Sequence, residues 1–230
     1  MRFARVMAAA AGIALAVRIV RSHHRRSLHP AGRSFHGEFV DAGLLHHGPA
    51  RYPATVRVSK AVGTKGGRPD VRGLAVRVHR AGRDLDLLFS TTGHGPITRH
   101  LPKPRRTFDA VYGTITAYRL GTGDRVLLIA RAASVGRRLE EVAAGDRFTM
   151  SVRHGDEERP AGVVTLDRAL SPAEDAALAF DPVRNSLPEV HPTGLVHGVR
   201  AFAYRVSQRW RGAAPAPGNP AAVARTAGRR

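Results

Sequence analysis

The fold of this chain is decided by a strand–turn–strand pattern in residues 73–89, GLAVRVHRAGRDLDLLF. On either side of the AGRD segment at 81–84, apolar residues alternate with polar ones or run without interruption. Alternation with a period of two is typical of half-buried β-strands, and glycine within a short polar segment favours a hairpin turn. The stretch therefore predicts two antiparallel strands, 73–79 and 84–89, joined by a tight turn.

The same pattern extends over most of the chain. GTGD at 121–124 predicts a second hairpin turn. Short helices are predicted at 135–143 and at 171–178, where SPAED supplies an N-cap serine, a proline and two acids. Six further strands are predicted, at 37–42, 53–59, 110–119, 124–131, 147–154 and 162–168. We therefore expect an α+β, mainly β fold built on a closed eight-stranded antiparallel barrel, because closure leaves no exposed strand edge.

Composition limits the classes of function. The 230-residue chain is 43% hydrophobic, which is enough for a packed core, and its lack of cysteine excludes thiolate catalysis and cysteine-ligated metals. The net charge of +19 would suit nucleic acid, but only 6% of the residues are aromatic and no nucleic-acid-binding motif is present. We therefore expect no nucleic-acid partner. Binding to an anionic membrane surface would require positive charge clustered on one outer face.

The two ends of the chain differ from its middle, 25–212, which we expect to form one domain. Residues 6–17, VMAAAAGIALAV, are apolar but too few to span a membrane. We favour an N-terminal helix within residues 1–24 over a secretory signal, and therefore a cytoplasmic protein. Secretion or membrane association through residues 1–21 is the alternative. Residues 213–230, rich in alanine, proline, glycine and arginine, predict a disordered basic tail.

One helix is predicted near the end of the middle part, in residues 198–212, GVRAFAYRVSQRWRG. Arg200, Tyr204, Ser207 and Arg211 recur at spacings that place them on a single helix face. Two arginines on either side of a tyrosine indicate that this face meets a negatively charged group.

Five segments of the sequence, in the same order along the chain, resemble the monofunctional haem catalases. They are RSLHPAGRSFHGEF at 26–39, TVRVS at 55–59, RPDVRGLAVRVH at 68–79, LDLLFSTT at 85–92 and LAFDPVRNSLPEVHPTGLVHGVRAFAY at 178–204. The first matches the catalase distal pattern Arg-x-x-His-x-x-Gly, and the last contains Ala-Phe-Asp-Pro and ends on a tyrosine. The resemblance implies a catalase-type barrel with haem b as its iron cofactor, an N-terminal helix, and a C-terminal helix that carries the proximal tyrosine.

The resemblance also implies roles for individual residues. Tyr204 would be the proximal ligand of the haem iron, and Arg200, one turn before it, would favour the phenolate. His29 would be the distal acid–base group, with Ser59 hydrogen-bonded to it and Ser90 at the position of the catalase asparagine. The haem propionates would be bound by three further arginines, Arg26, Arg57 and Arg211.

We therefore expect a haem-dependent catalase or peroxidase that acts on hydrogen peroxide or organic hydroperoxides, with a small organic reductant. Ser90 in place of asparagine, and the absence of much of a full catalase's length, favour peroxidase action over dismutation. Two alternatives remain: a haem-binding protein with little turnover, and a non-haem binding module. A fatty-acid hydroperoxide isomerase is disfavoured, because Leu28 stands where those enzymes carry a hydroxyl residue. The oligomeric state is open, with a homodimer as one alternative.

Overall fold

Ten strands and one α-helix form in the part of the chain that the computed structural model describes, residues 31–45, 49–65, 67–93, 95, 98–123 and 125–193. All of these residues belong to one compact unit. In chain order the elements are β1 (Ala31–Asp41), β2 (Ala50–Lys60), β3 (Arg72–Val78), β4 (Leu85–Thr91), β5 (Val111–Gly113), β6 (Tyr118–Leu120), β7 (Arg125–Ser134), β8 (Arg147–His154), β9 (Glu157–Ala169), α1 (Pro172–Ala177) and β10 (Val190–Pro192). A single 3₁₀ turn, Thr98–His100, is described between β4 and β5.

Eight of the described strands close into an antiparallel barrel. Strands β1 to β5 pair in sequence, β5 continues to β7, β7 to β8 and β8 to β9, and β9 returns to β1. Strands β6 and β10 lie outside this ring and extend one end of β7. The predicted mainly β, closed eight-stranded barrel is therefore confirmed, whereas the helices predicted at the two ends of the chain lie outside the described residues.

Alternation along the strands decides which side chains fill the barrel. Phe35 and Phe39 of β1, Val56 of β2, Val76 of β3 and Leu87 of β4 are all at most 1% exposed and form part of the core. The residues between them point to the outer face of the sheet. On β1 to β4 that outer face is largely polar, which is the arrangement that positions the candidate site.

The predicted turns and one predicted helix are confirmed in detail. Gly82, in the turn between β3 and β4, and Gly121, in the turn between β6 and β7, have φ of +76° and +56°. Glycine adopts this left-handed region without the steric cost that a side chain imposes. Ser171 caps α1, with its hydroxyl accepting from the Glu174 amide and the Glu174 carboxylate accepting from the Ser171 amide. This reciprocal pair is a capping box, which fixes where α1 begins.

Two predicted elements are wrong. The strand predicted at 110–119 is split into β5 and β6, because the chain leaves the ring after β5 and β6 then pairs with β10 and with one end of β7. The helix predicted at 135–143 does not form, and the segment makes turns. Arg33 donates to the carbonyls of Glu140 and Val142 at 2.8 and 2.6 Å, and the Asp146 carboxylate accepts two amides of the segment. Because Oδ2 of Asp146 accepts the amides of both Gly136 and Ala143, these two residues lie close together, whereas a helix would hold them about 10 Å apart along its axis.

Candidate active site

Three of the predicted site residues lie on the same outer face of the barrel. Ser59 on β2 is directly opposite Gly32 of β1 and Gly73 of β3, and Gly73 is opposite Ser90 of β4. Residues directly opposed in an antiparallel pair project from the same face. Ser59 and Ser90 therefore lie two strands apart in one row, and Arg57 lies two residues along β2 on the same face. The register thus places Arg57, Ser59 and Ser90 on one face of the barrel.

The surface around this row is built from small residues. Glycines at positions 32 and 73 and serines at 59 and 90 share the row, and Ala75 lies opposite Arg57 in the next one. At Gly32 a Cβ atom would stand 2.7 Å from Nη2 of Arg57 and 2.8 Å from the carbonyl oxygen of Val58. The arginine side chain thus lies directly against the β1 backbone, and glycine is needed there for this close approach.

Arg57 already binds a carboxylate of the protein. Arg57 is 5% exposed. Its Nη1 atom donates to Oδ1 of Asp175 and, at 3.1 Å, to Oγ of Ser34. The Ser34 hydroxyl donates to the same Oδ1 atom. The guanidinium of Arg57, which the resemblance assigns to a haem propionate, is therefore bound by Asp175 of α1. No local pattern in the sequence points to Asp175, which is 118 residues away from Arg57.

The helix that supplies this acid rests on the barrel through polar contacts. None of the residues of α1 is buried. Besides the Asp175 contacts, Oε1 of Glu174 lies 3.4 Å from Nε2 of His36 on β1. Hydrogen bonds from the amide and hydroxyl of Ser171, together with His36, hold the pKa of Glu174 at about 2. Glu174 therefore stays ionised at neutral pH and adds negative charge to the same side of α1.

The segment 178–185, which carries the Ala-Phe-Asp-Pro similarity, is clamped to β3 and β4. The guanidinium of Arg77 makes a bidentate pair with Asp86, at 2.7 and 2.8 Å. Oδ2 of Asp86 also accepts from the Asp181 amide at 2.6 Å and from the Asn185 side chain at 3.0 Å. Burial alone would lower the pKa of Arg77, but the hydrogen bonds and charge of Asp86 outweigh it and raise that pKa. The clamp fixes the chain that leads on towards the predicted proximal helix.

A hydrogen-bonded chain that the sequence analysis missed begins next to Arg57. Oγ1 of Thr55 lies 2.8 Å from Nε2 of His79, and Nδ1 of His79 lies 3.1 Å from Oδ1 of Asp84. Thr55 is 6% exposed and lies on the same outer face as Arg57, two residues before it in β2. The only sequence signal for it is a histidine two residues before the AGRD turn and the aspartate that ends the turn.

The other predicted site residues lie outside the described residues, namely Arg26, His29, Arg200, Tyr204 and Arg211. Their roles stay predictions, as do the expected partners and localisation. Within the described ranges, no group of three or more histidine or acidic residues is arranged to hold a metal ion. The same part of the chain contains no helix that is long and apolar enough to cross a membrane.

The barrel is similar to a solved structure. Catalase A from Saccharomyces cerevisiae matches it with a TM-score of 0.58 at 13% sequence identity. The fold is catalase-like. The match covers 81% of this chain and 61% of catalase A, so the chain spans about three fifths of that protein. No family model and no curated protein matches the sequence. At this level of identity the likeness shows the fold alone.

The described part of the site suits a flat ligand that carries carboxylates. The row of glycines and serines carries no large side chain, and the Arg57 guanidinium lies against Gly32 at the β1 end of the row with a carboxylate already bound. A planar guanidinium matches the geometry of a carboxylate and stays charged at all relevant pH values. These features fit a haem with its propionates as far as the described residues extend.

Proposed function

We propose that this protein is a haem-dependent enzyme that acts on hydrogen peroxide or organic hydroperoxides, as a catalase or a peroxidase. The observation that carries the proposal is the carboxylate-binding Arg57, buried on the outer face of a catalase-like barrel beside Ser59 and Ser90. The resemblance assigned Arg57 to a haem propionate, Ser59 to a hydrogen bond with His29 and Ser90 to the position of the catalase asparagine. Their common face is compatible with these roles.

The cofactor would be held by residues of both the described and the undescribed parts of the chain. Arg57, with Arg26 and Arg211, would bind the propionates, and Tyr204 would ligate the iron. Arg200 would lower the pKa of the Tyr204 phenol, whose ordinary value near 10 makes it a poor ligand at neutral pH. When bound, the haem supplies the redox chemistry by which a peroxide O–O bond is cleaved.

The distal residues would handle the protons of the peroxide. His29 would accept a proton from one peroxide oxygen and return it to the other, which becomes the leaving water. Ser59 would hydrogen-bond to His29 and hold the tautomer that this exchange needs. Ser90 would donate to the peroxide from a shorter side chain than the catalase asparagine. We therefore expect slower dismutation of hydrogen peroxide and relatively greater activity with organic reductants.

One structural observation favours a second candidate, a catalase-fold protein that binds no haem. The charge of Arg57 is balanced by Asp175 within the chain itself, which would stabilise a barrel whose ligand has been lost. A charge balanced in this way needs no external carboxylate. The two candidates differ in whether a carboxylate ligand can replace Asp175.

Haem titration of the purified full-length protein separates the two candidates. We expect uptake of one haem per chain, a Soret band with the features of a tyrosinate ligand, and loss or shift of that band in Tyr204→Phe. Arg57→Gln should weaken uptake, whereas Arg51→Gln, on the exposed part of the same strand, should leave it unchanged. Peroxide consumption and peroxidase turnover of the loaded protein then test the enzyme assignment. Failure to bind haem stoichiometrically would leave the binding module as the better account.

A further inference from the structure

Two loops at one end of the barrel form a single surface. The first, residues 61–71, joins β2 to β3, and the second, residues 98–106, lies between β4 and β5. The Asp70 amide donates to the Arg105 carbonyl at 3.0 Å, and the Arg105 amide donates back to the Asp70 carbonyl at 2.8 Å. We refer to the described residues of these two loops as the basic end face.

The basic end face carries a strong excess of positive charge. Asp70 is its single acid among the described residues, and it is 3% exposed. The Asp70 carboxylate accepts the amides of Val62 and Thr64, at 3.1 and 2.9 Å, so it faces the protein rather than solvent. Against this acid stand six basic residues, Lys65, Arg68, Arg99, Lys103, Arg105 and Arg106. Four of them, Lys65, Arg68, Lys103 and Arg106, are exposed.

The same surface exposes two large aliphatic side chains. Val62 is 54% exposed and Leu101 is 55% exposed, one on each loop. Within the described residues, the one other exposed large hydrophobic side chain is Val183, at 37%, in the segment clamped by Asp86. Apolar side chains that protrude among cations are typical of proteins that dock on an interface with an apolar interior and an anionic surface.

The face is held in shape by backbone hydrogen bonds and prolines. Thr91 at the end of β4 accepts the Lys103 amide at 2.7 Å, and its hydroxyl donates to the Lys103 carbonyl at 2.7 Å. Nη2 of the buried Arg72 donates to the Arg106 carbonyl at 2.7 Å. The loops also contain prolines at 69, 102 and 104, which restrict the backbone. A surface that is already ordered loses little conformational entropy when it binds.

We propose that the basic end face is a docking site for anionic lipid bilayers. Val62 and Leu101 enter the boundary between headgroups and acyl chains, and the four exposed cations contact lipid phosphates and carboxylates. A bilayer accounts for both features, whereas a nucleic acid accounts for the charge alone. The described residues of the face include no phenylalanine, tyrosine or tryptophan on which bases could stack.

The two features make separate contributions that can be measured. A basic residue close to an anionic membrane surface contributes about fivefold to the partition coefficient. Removing two of the four exposed cations should therefore weaken binding about 25-fold. Shortening both apolar side chains should weaken it about tenfold or more, since partial burial of a valine and a leucine is lost.

The test is cosedimentation of the full-length protein with phosphatidylcholine vesicles, with and without phosphatidylserine. We expect binding that requires phosphatidylserine, and losses of the stated size in Lys103→Gln/Arg106→Gln and in Val62→Ser/Leu101→Ser. The matched controls are Arg125→Gln/Arg147→Gln, which removes two exposed charges elsewhere, and Val183→Ser. Both should bind within about twofold of wild type, because they change residues outside the face. Circular dichroism melting of each variant shows that the barrel is intact.

Three results would overturn the proposal. If Lys103→Gln/Arg106→Gln and Arg125→Gln/Arg147→Gln weaken vesicle binding equally, the net charge of the whole chain drives adsorption. If Val62→Ser/Leu101→Ser binds the vesicles as tightly as wild type, these side chains do not insert into the bilayer and the docking proposal is wrong. Tighter binding to a single-stranded oligonucleotide than to the vesicles, independent of Val62 and Leu101, would assign the face to nucleic acid.

Discussion

Replacing Asp175 by asparagine tests whether an acid of the protein occupies the place of a ligand carboxylate. The side chain of Arg57 is 7% exposed and that of Asp175 is 28% exposed, so the pair is buried mainly on the arginine side. Removing one partner of a fully buried pair costs about 3–5 kcal/mol. The partial exposure of Asp175 and the hydrogen bond that Ser34 keeps to Arg57 reduce this value, to about 2 kcal/mol.

The stability that Asp175→Asn loses in the haem-free protein should be matched by tighter binding of haem to the variant. In the haem-free variant Arg57 lacks its carboxylate, whereas in the haem-loaded variant a propionate supplies one. Because the loss applies to the free state alone, about 2 kcal/mol of destabilisation corresponds to a gain in haem affinity of about 10- to 30-fold. Asp175→Asn should therefore unfold at a lower urea concentration without haem and bind haem more tightly than wild type.

The assay compares urea unfolding of the haem-free protein with Soret titration, using haem and its dimethyl ester. The ester has no free carboxylate, so its affinity should be the same in wild type and Asp175→Asn. Glu174→Gln is the matched control, since it removes one negative charge from α1, keeps the capping box and does not touch Arg57. Should Asp175→Asn bind haem no more tightly than wild type while losing stability, Asp175 and the propionate do not compete for Arg57.

Three further changes follow from described contacts. Asp86→Ala should destabilise the protein by about 3–5 kcal/mol in urea unfolding, because it removes the bidentate acceptor of Arg77 and the acceptor of the Asp181 amide, and Asp84 lies farther from Arg77, at 3.7 Å; an effect below about 1 kcal/mol would contradict this. Gly32→Ala should cost about 1–3 kcal/mol, because the added Cβ would stand 2.8 Å from the backbone carbonyl oxygen of Val58, and it should weaken haem uptake, because the Arg57 guanidinium, 2.7 Å away, would have to move. Arg131 above all, then Ser151 and Arg153, hold the pKa of Glu158 at about 2 although burial opposes the shift. The lowered pKa means that this stabilisation is present above the ordinary value of 4.5 and is lost as pH falls towards 2. Acid unfolding should therefore be shallower between these pH values in Glu158→Gln, and an identical pH dependence would refute the assignment.

The barrel could be predicted from the sequence because its signals are local. Each strand carries its own alternation of apolar and polar residues, and the turns at 81–84 and 121–124 carry glycines that take positive φ. The start of α1 is equally local, since the capping box of Ser171 and Glu174 spans four residues. Closure of these strands into a ring is then favoured because it leaves no exposed strand edge, although nineteen residues join β4 to β5.

The elements that failed, and the missing half of the site, depend on contacts between distant residues. At 135–143 the segment is held in turns, and one of the residues that bind it is Arg33, more than a hundred residues away in sequence, which donates to the carbonyls of Glu140 and Val142. Alternation places Arg57 and Ser59 on one face of β2, but only the register shows that Ser90 shares it. Asp175 could not be predicted as the partner of Arg57, because its position depends on how α1 lies across the barrel.

The pairing of β1 with β9 has a consequence for how the chain folds. Gly37 and Leu166, which face each other across this seam, are separated by 129 residues of sequence. During synthesis, the backbone N–H and C=O groups on one edge of β1 therefore have no β9 to pair with until nearly the whole barrel has been made. Topologies dominated by such distant pairings fold slowly, on the order of milliseconds to seconds, and leave strand edges open to other chains in the meantime. Chains that end before residue 157 lack β9, so the edges of β1 and β8 that β9 would cover stay open. Truncated products of this protein should therefore aggregate rather than accumulate as partly folded barrels.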